Sequence, residues 1–275
     1  MRRLLCLFLI LVAGCAAPSR ESLSSFREGL SAVQKESREV FLDVNRTARK
    51  AQISRVGTLT MLKESDVSPA LDPASLAQWN RALEALSAYA SALEILADPK
   101  SGDGVEESVG KLGRRIEAMG PGTDELTKAV AGLGGVLTRS VAGHAAREAM
   151  LDADPHVRDV LTRMADMIGD GPEAGGVRTT VWAAWTLFAD EARKGFPESA
   201  SHEKHVIAQT YASRLESRDE ADAALAAVRR ALLDLADAHT AASQGRTIDA
   251  ERMVAFLRKQ VAHAAKIFKD TGGDK

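Results

Sequence analysis

Apolar residues recur three and four positions apart along most of this chain, the spacing that gathers them on one face of an α-helix. The first stripe, Leu23, Phe26, Leu30, Val33, Ser37, Val40, Val44, Thr47 and Ala51, keeps a mostly apolar heptad seam. It then shifts phase to Ile53, Val56, Leu59 and Leu62. If unbroken, Glu21 to Glu64 would form a helix of roughly 65 Å.

Turn chemistry divides the rest. Asp72-Pro73 is an N-cap followed by proline at the first helical position, and it opens a second helix with Leu76, Trp79, Leu83, Leu86, Ala90 and Leu93. A third carries Val105, Val109, Leu112, Ile116 and Met119, and Gly120-Pro121-Gly122 ends it. Thr123 caps a fourth with the stripe Leu126, Val130, Leu133, Leu137 and Val141. Gly132 and Gly135 cost helix propensity there but let a neighbouring backbone come close.

Asp154-Pro155 repeats the cap-and-proline device and predicts the start of a fifth helix, through Val157, Leu161, Met164 and Ile168. Five glycine and proline residues between Gly169 and Gly176 mark a joint. Beyond it, Val181, Trp182, Trp185 and Phe188 predict a sixth helix, residues 199–218 a seventh, and Ala221, Leu225, Val228, Leu232, Leu235 and His239 an eighth. Thr247 caps a last one with Val254, Leu257, Val261, Ala264 and Phe268.

No stretch alternates with period two. The expected fold is therefore all-α: antiparallel multi-helix bundles of about eight or nine helices, with a long first helix. The glycines near residue 170 suggest a cut between an N-terminal bundle, 21–169, and a C-terminal one, 177–270, with a disordered tail at 271–275.

Composition narrows the class. Hydrophobic residues at 45% with charged residues at 27% fit packed helices better than disorder, and aromatics at 4% argue against a β-sandwich or a ring-lined sugar site. Net charge is -2 with both signs interspersed, and no basic block would track a phosphate backbone, so no nucleic-acid partner is expected.

The N-terminus supplies an address. Arg2 and Arg3, the apolar run Leu4 to Val12 and then Ala13-Gly14-Cys15 form a secretory signal too short to span a bilayer. This order resembles the lipobox of bacterial lipoproteins. The resemblance implies a signal peptide at 1–14, diacylation of Cys15 as the first mature residue, and a tether at 15–20. By the same resemblance, Ala16 in place of an aspartate implies the periplasmic leaflet of the outer membrane. Cys6 would leave with the signal, so the mature chain would have no thiol for a disulfide or a thiolate metal site. Cys15, the heptad helix and Lys275 are also similar to the murein lipoprotein family, but the ending Gly-Gly-Asp-Lys departs from its wall-linked terminus, and wall linkage is not expected.

Searches for chemistry return little. Di-iron bundles use Glu-x-x-His, yet the residues three before the histidines are Val141, Ala153, Ser199, His202, Ala236 and Gln260. His202 and His205 lie one turn apart without the spacing of a zinc protease, and they read as a solvated helix start. His239 falls on an apolar seam and reads as a core histidine bonded to a neighbour. Ser201-His202-Glu203-Lys204 matches Ser-x-x-Lys but lacks the partner motifs of penicillin-recognising enzymes. No catalytic residue, metal set or cofactor is expected; an enzyme would need His202, His205 or His239 to meet carboxylates in a buried cleft.

Trp182, Trp185 and Phe188 share one helical face and are the candidate ligand or partner contacts, with the core of the C-terminal bundle as the plainer alternative. The expected function is that of a non-catalytic, lipid-anchored periplasmic protein that binds or scaffolds another envelope protein. The alternatives are hydrophobic small-molecule or lipid binding between helices, and an immunity or exclusion lipoprotein. Replacing Cys15 with serine should release a folded protein from the membrane fraction on cell fractionation; retention in that fraction would mean that lipid is not the anchor.

Overall fold

The computed structural model describes residues 20–53, 61–98, 104–119, 125–141 and 146–246, together with Arg252, Ala255 and Lys259. Cys15 with its signal, the turns at 99–103 and 120–124, the stripe expected of a ninth helix and the tail at 271–275 lie outside these residues. Among the described residues the protein is all-α, with seven α-helices and no strand. They are α1 Arg20–Gln52, α2 Pro73–Leu96, α3 Gly104–Ala118, α4 Glu125–Val141, α5 Ala146–Ile168, α6 Gly176–Gly195 and α7 Ser201–Ser243. Among them no helix is long and apolar enough to cross a membrane.

The first stripe is buried along α1, from Leu23, Phe26 and Leu30 through Val33, Val40 and Val44 to Ala51. Near the end Ala48 takes the inward place expected of Thr47, because a 3.6-residue turn drifts against a seven-residue repeat. The α-helix ends at Gln52 rather than Glu64, and Glu64–Val67 is instead a short 3-10 turn. Ile53 at 52% and Leu62 at 61% exposure, the two described members of the shifted stripe, are not drawn into a core. Beyond that turn, the Asn45 amide accepts the Leu71 N–H at 2.8 Å and donates to the Leu71 carbonyl at 2.9 Å, laying the loop back along α1.

Asp72 then caps α2 as its sequence dictates. Its Oδ1 accepts the backbone N–H groups of Ala74 at 2.8 Å and Ser75 at 3.0 Å, two of the donors a helix start leaves without partners. These bonds, led by the Ser75 hydroxyl, hold its carboxyl below the usual carboxylate range.

Two helix boundaries differ from expectation. α5 begins at Ala146 and carries Pro155 in its interior, so Asp154-Pro155 opens no helix. An interior proline costs about 3 kcal/mol, whereas the preceding turns bury Ala149, Met150 and Ala153 completely. Full burial of a side chain such as Met150 is worth about 1.5–3 kcal/mol by itself, so the longer helix wins. The expected seventh and eighth helices are one, because Asp219 and Glu220 between them contain no breaker. This merger, with the last expected stripe lying outside the described residues, accounts for a count below eight or nine among those described.

The helices group into two compact units. One comprises α1 through Ala32, Gln78–Arg163 and the end of α7 from Leu232; the other comprises Val33–Ala77 and Met164–Ala231. Both units draw on α1, α2, α5 and α7, whereas the glycine content pointed to a single cut near residue 170. In the first unit α3 packs on α4, and the absent side chain of Gly132 admits the His156 ring, which a Cβ would approach to 2.4 Å.

The turn joining α5 to α6 lies in the second unit and depends on glycine. Gly169 and Gly176 have φ of +90° and +82°, and a Cβ on either would meet backbone atoms at 2.0 and 2.6 Å. Gly176→Ala should lower stability by about 1–3 kcal/mol in urea unfolding. Gly171, with open space around it, should tolerate alanine within about 0.5 kcal/mol. Equal effects at the two positions would contradict this reading of the turn.

Candidate functional site

Two polar constellations stand out, one in each unit. In the first, His239 on α7 has no exposed surface, and it lies between the rings of Phe26 on α1 and Tyr89 on α2, with centroids 5.2 and 5.7 Å away. Its Nδ1 is 2.8 Å from Asp154 Oδ1 on α5, and its Nε2 is 3.0 Å from the Tyr89 hydroxyl. A carboxylate only accepts, so Nδ1 carries the proton, and Nε2 accepts from the phenol. Thr240 donates to Asp154 at 2.9 Å and in turn accepts from Arg158 Nη1 at 2.9 Å.

The electrostatics follow from this chain. Burial pushes the His239 imidazole below its ordinary value and outweighs the pull of Asp154, so the ring is neutral. Burial also works to raise Asp154, but hydrogen bonds from His239 and Thr240 overcome it and hold the carboxyl low. Burial, then the Asp154 charge, drives the Tyr89 phenol well above its ordinary range. An Asp–His–OH series has the order of a proton relay, yet Tyr89 and His239 are both at 0% exposure, so no substrate atom reaches either. The carboxylate that an enzyme would need lies beside His239, whose own ring has no exposed surface.

In the second unit a groove of about 1140 Å³ is lined by sixteen residues of α1, α6 and α7. Ala48 and Ala51 on α1 and Val181 and Trp185 on α6 are its apolar wall, while α7 supplies the stretch from Val206 to Arg218, about 18 Å of helix. Arg46, Lys50, Arg214 and Arg218 line it with positive charge, against Glu216. Behind it Trp185, Phe188 and Tyr211 pack with centroids 5.0–6.1 Å apart. The Arg214 guanidinium lies 4.3 Å over Phe188, and that of Arg218 lies 4.0 Å over Trp182 and 4.9 Å over Trp185.

Asp222 holds this wall in place. It takes a two-pronged bond from Arg178, at 2.7 and 2.8 Å, and accepts Trp182 Nε1–H at 3.1 Å. Burial would raise Asp222, but these donors keep it below its ordinary value. Two residues before it, Glu220 is pushed up to about 7 by burial and by Glu216 and Asp219.

The three aromatic candidates thus separate. Trp185 both belongs to the core cluster and faces the groove; Phe188 is buried beneath Arg214; Trp182 is half-buried, hydrogen-bonded to Asp222 and covered by Arg218. His202 and His205 are exposed on the first turns of α7, and the Glu203 carboxylate of that segment accepts the Ala200 N–H. Among the described residues no group of three or more His, Cys, Asp or Glu is placed to hold a metal ion. Sequence reading missed Tyr89, Asp154, Arg214 and Arg218. Comparison with protein-family models, with curated proteins and with solved structures finds no match to this chain.

The His239 constellation sets an acid limit on stability. The unfolded imidazole takes up a proton near pH 6.5 while the folded one resists, so the unfolded state gains as pH falls below that value. The His239 contribution is full above about pH 6.5 and is lost toward pH 5, with a further loss as Asp154 protonates, whereas Glu220, raised to about 7, adds stability as pH falls over the same interval. His239→Gln should lose less stability than the wild type as pH falls from 7 to 5. The same pH dependence of the unfolding midpoint in the variant and the wild type over this interval would contradict the neutral buried ring.

Proposed function

We propose that the protein is a non-catalytic, lipid-anchored binding protein of the bacterial cell envelope, held through Cys15 at the periplasmic face of the outer membrane. The groove beside Trp185 carries the binding half of this reading, since it combines an apolar wall, polar rim and excess positive charge in one concave surface. The order of residues 2–15 supports the anchor. α1 starts at Arg20, close behind Cys15, which would keep the helical body near the lipid. The complete burial of Tyr89 and His239 favours structure over catalysis.

Two kinds of occupant fit a binding role: another envelope protein, or an amphiphilic small molecule taken between the helices. The groove favours the second. Its sixteen lining residues fall short of the 20–30 per side of a standard protein interface, while its volume is close to the roughly 300–1,000 Å³ of small-molecule pockets. A photo-crosslinking side chain placed at Ser213, within the groove, should label an envelope component in intact cells. The same group at Lys111, exposed on α3, should not. Equal labelling from both positions would remove the groove as the binding surface.

A further inference from the structure

The groove has a chemical preference beyond greasiness. Its positive residues are not equivalent. Arg46 is paired with Asp43 at 2.7 Å, and Arg218 Nε is paired with Asp219 at 2.9 Å. Arg214 differs: its guanidinium rests on the Phe188 ring, and its Nη1 is buried with no hydrogen-bond partner among the described residues. That atom is closed to the groove, but the rest of the guanidinium lines it, and an anion bound there would supply the counter-charge that this cation lacks among the described residues. Burial also lowers the Arg214 proton affinity, as expected of a cation short of counter-charge.

We infer that the groove binds an amphiphilic anion, its acid head on the Arg214 guanidinium and its apolar chain along the wall of Ala48, Ala51, Val181 and Trp185. This inference rests on the small-molecule reading above. Three features select that ligand. Arginine presents a planar fork that matches a carboxylate or phosphate in two bonds, and an aromatic face behind it fixes the fork in place. Lys50 on α1 adds positive charge on the facing helix, against Glu216 on α7, so the net charge of the groove favours an anion. About 18 Å of α7 then runs alongside for a chain to follow. The chain's own residues after Gly245 carry more Lys and Arg than Asp and Glu, so they are a poor electrostatic match for this surface.

The full chain as Cys15→Ser, free of detergent, allows a direct test by titration calorimetry with dodecanoate, dodecyl phosphate and dodecylammonium, each below its micellar concentration. Both anions should bind with one site, and dodecylammonium at least about tenfold more weakly. Arg214→Gln should weaken dodecanoate by a similar factor, and Arg214→Lys should restore part of it, with unchanged circular dichroism in both. Ser213→Trp, which fills the groove, should abolish binding of every chain. If dodecanoate and dodecylammonium bind equally and Ser213→Trp stops both, the small-molecule reading stands and the preference for an anion is wrong. If Arg214→Gln binds dodecanoate as the wild type does, the assignment to Arg214 is wrong. If no probe binds, the small-molecule reading and the preference for an anion both fall.

Discussion

A histidine with no exposed surface holds the first unit together, and it is stable only because every polar atom it carries is matched. His239 meets Phe26 of α1, Tyr89 of α2 and Asp154 of α5 at once, so one residue of α7 specifies how four helices pack. The hydrogen bonds run in one direction, from Tyr89 through His239 to Asp154, and Thr240 and Arg158 close the far side. In a low-dielectric interior such a series is self-reinforcing, and a gap in it is costly. Packing alone tolerates sliding by a turn; this network does not. The interior proline of α5 becomes intelligible on the same ground, because it accompanies an aspartate whose carboxylate serves α7 rather than its own helix.

The second unit solves the opposite problem. Its aromatic cluster carries two arginines stacked on its rings, beside Leu215 and Ala192, which leaves a wettable surface above a dry one. Asp222 supports that arrangement by tying Arg178 and Trp182 together across α6 and α7. Charge carried on an aromatic floor is suited to recognition, since rigid rings lose little entropy on contact and a fixed fork orients what it binds. A unit that closes on itself and a unit that stays open on one side therefore coexist in one chain.

Much of the helical pattern was legible in the sequence, for a local reason. Stripes such as Leu23 to Ala51 and the Asp72-Pro73 cap report interactions within a few residues, where spacing and turn chemistry decide. Asp154-Pro155 looks the same locally but behaves differently, because its partner His239 lies 85 residues away and no short-range rule contains it. The division of α7 into two helices was an error of emphasis: a stripe can change face without the backbone stopping, and Asp219-Glu220 offers no reason to stop. His239 was recognisable as a core histidine from its place on the seam. Arg214 and Arg218 were not recognisable, since a helix rich in alternating charges reads as a solvated face until the aromatic residues beneath it are known.

The central claim is that the open unit binds and the closed unit supports. Hydrogen–deuterium exchange of the full chain in a lysate of its own cells, compared with the purified protein, tests this most directly. Protection gained in the lysate should concentrate on 46–51 and 206–218, where amides border the groove, and should leave the helices around Asp154 and His239 unchanged. Protection that falls instead around His239, or is absent from both segments of the groove, would contradict it.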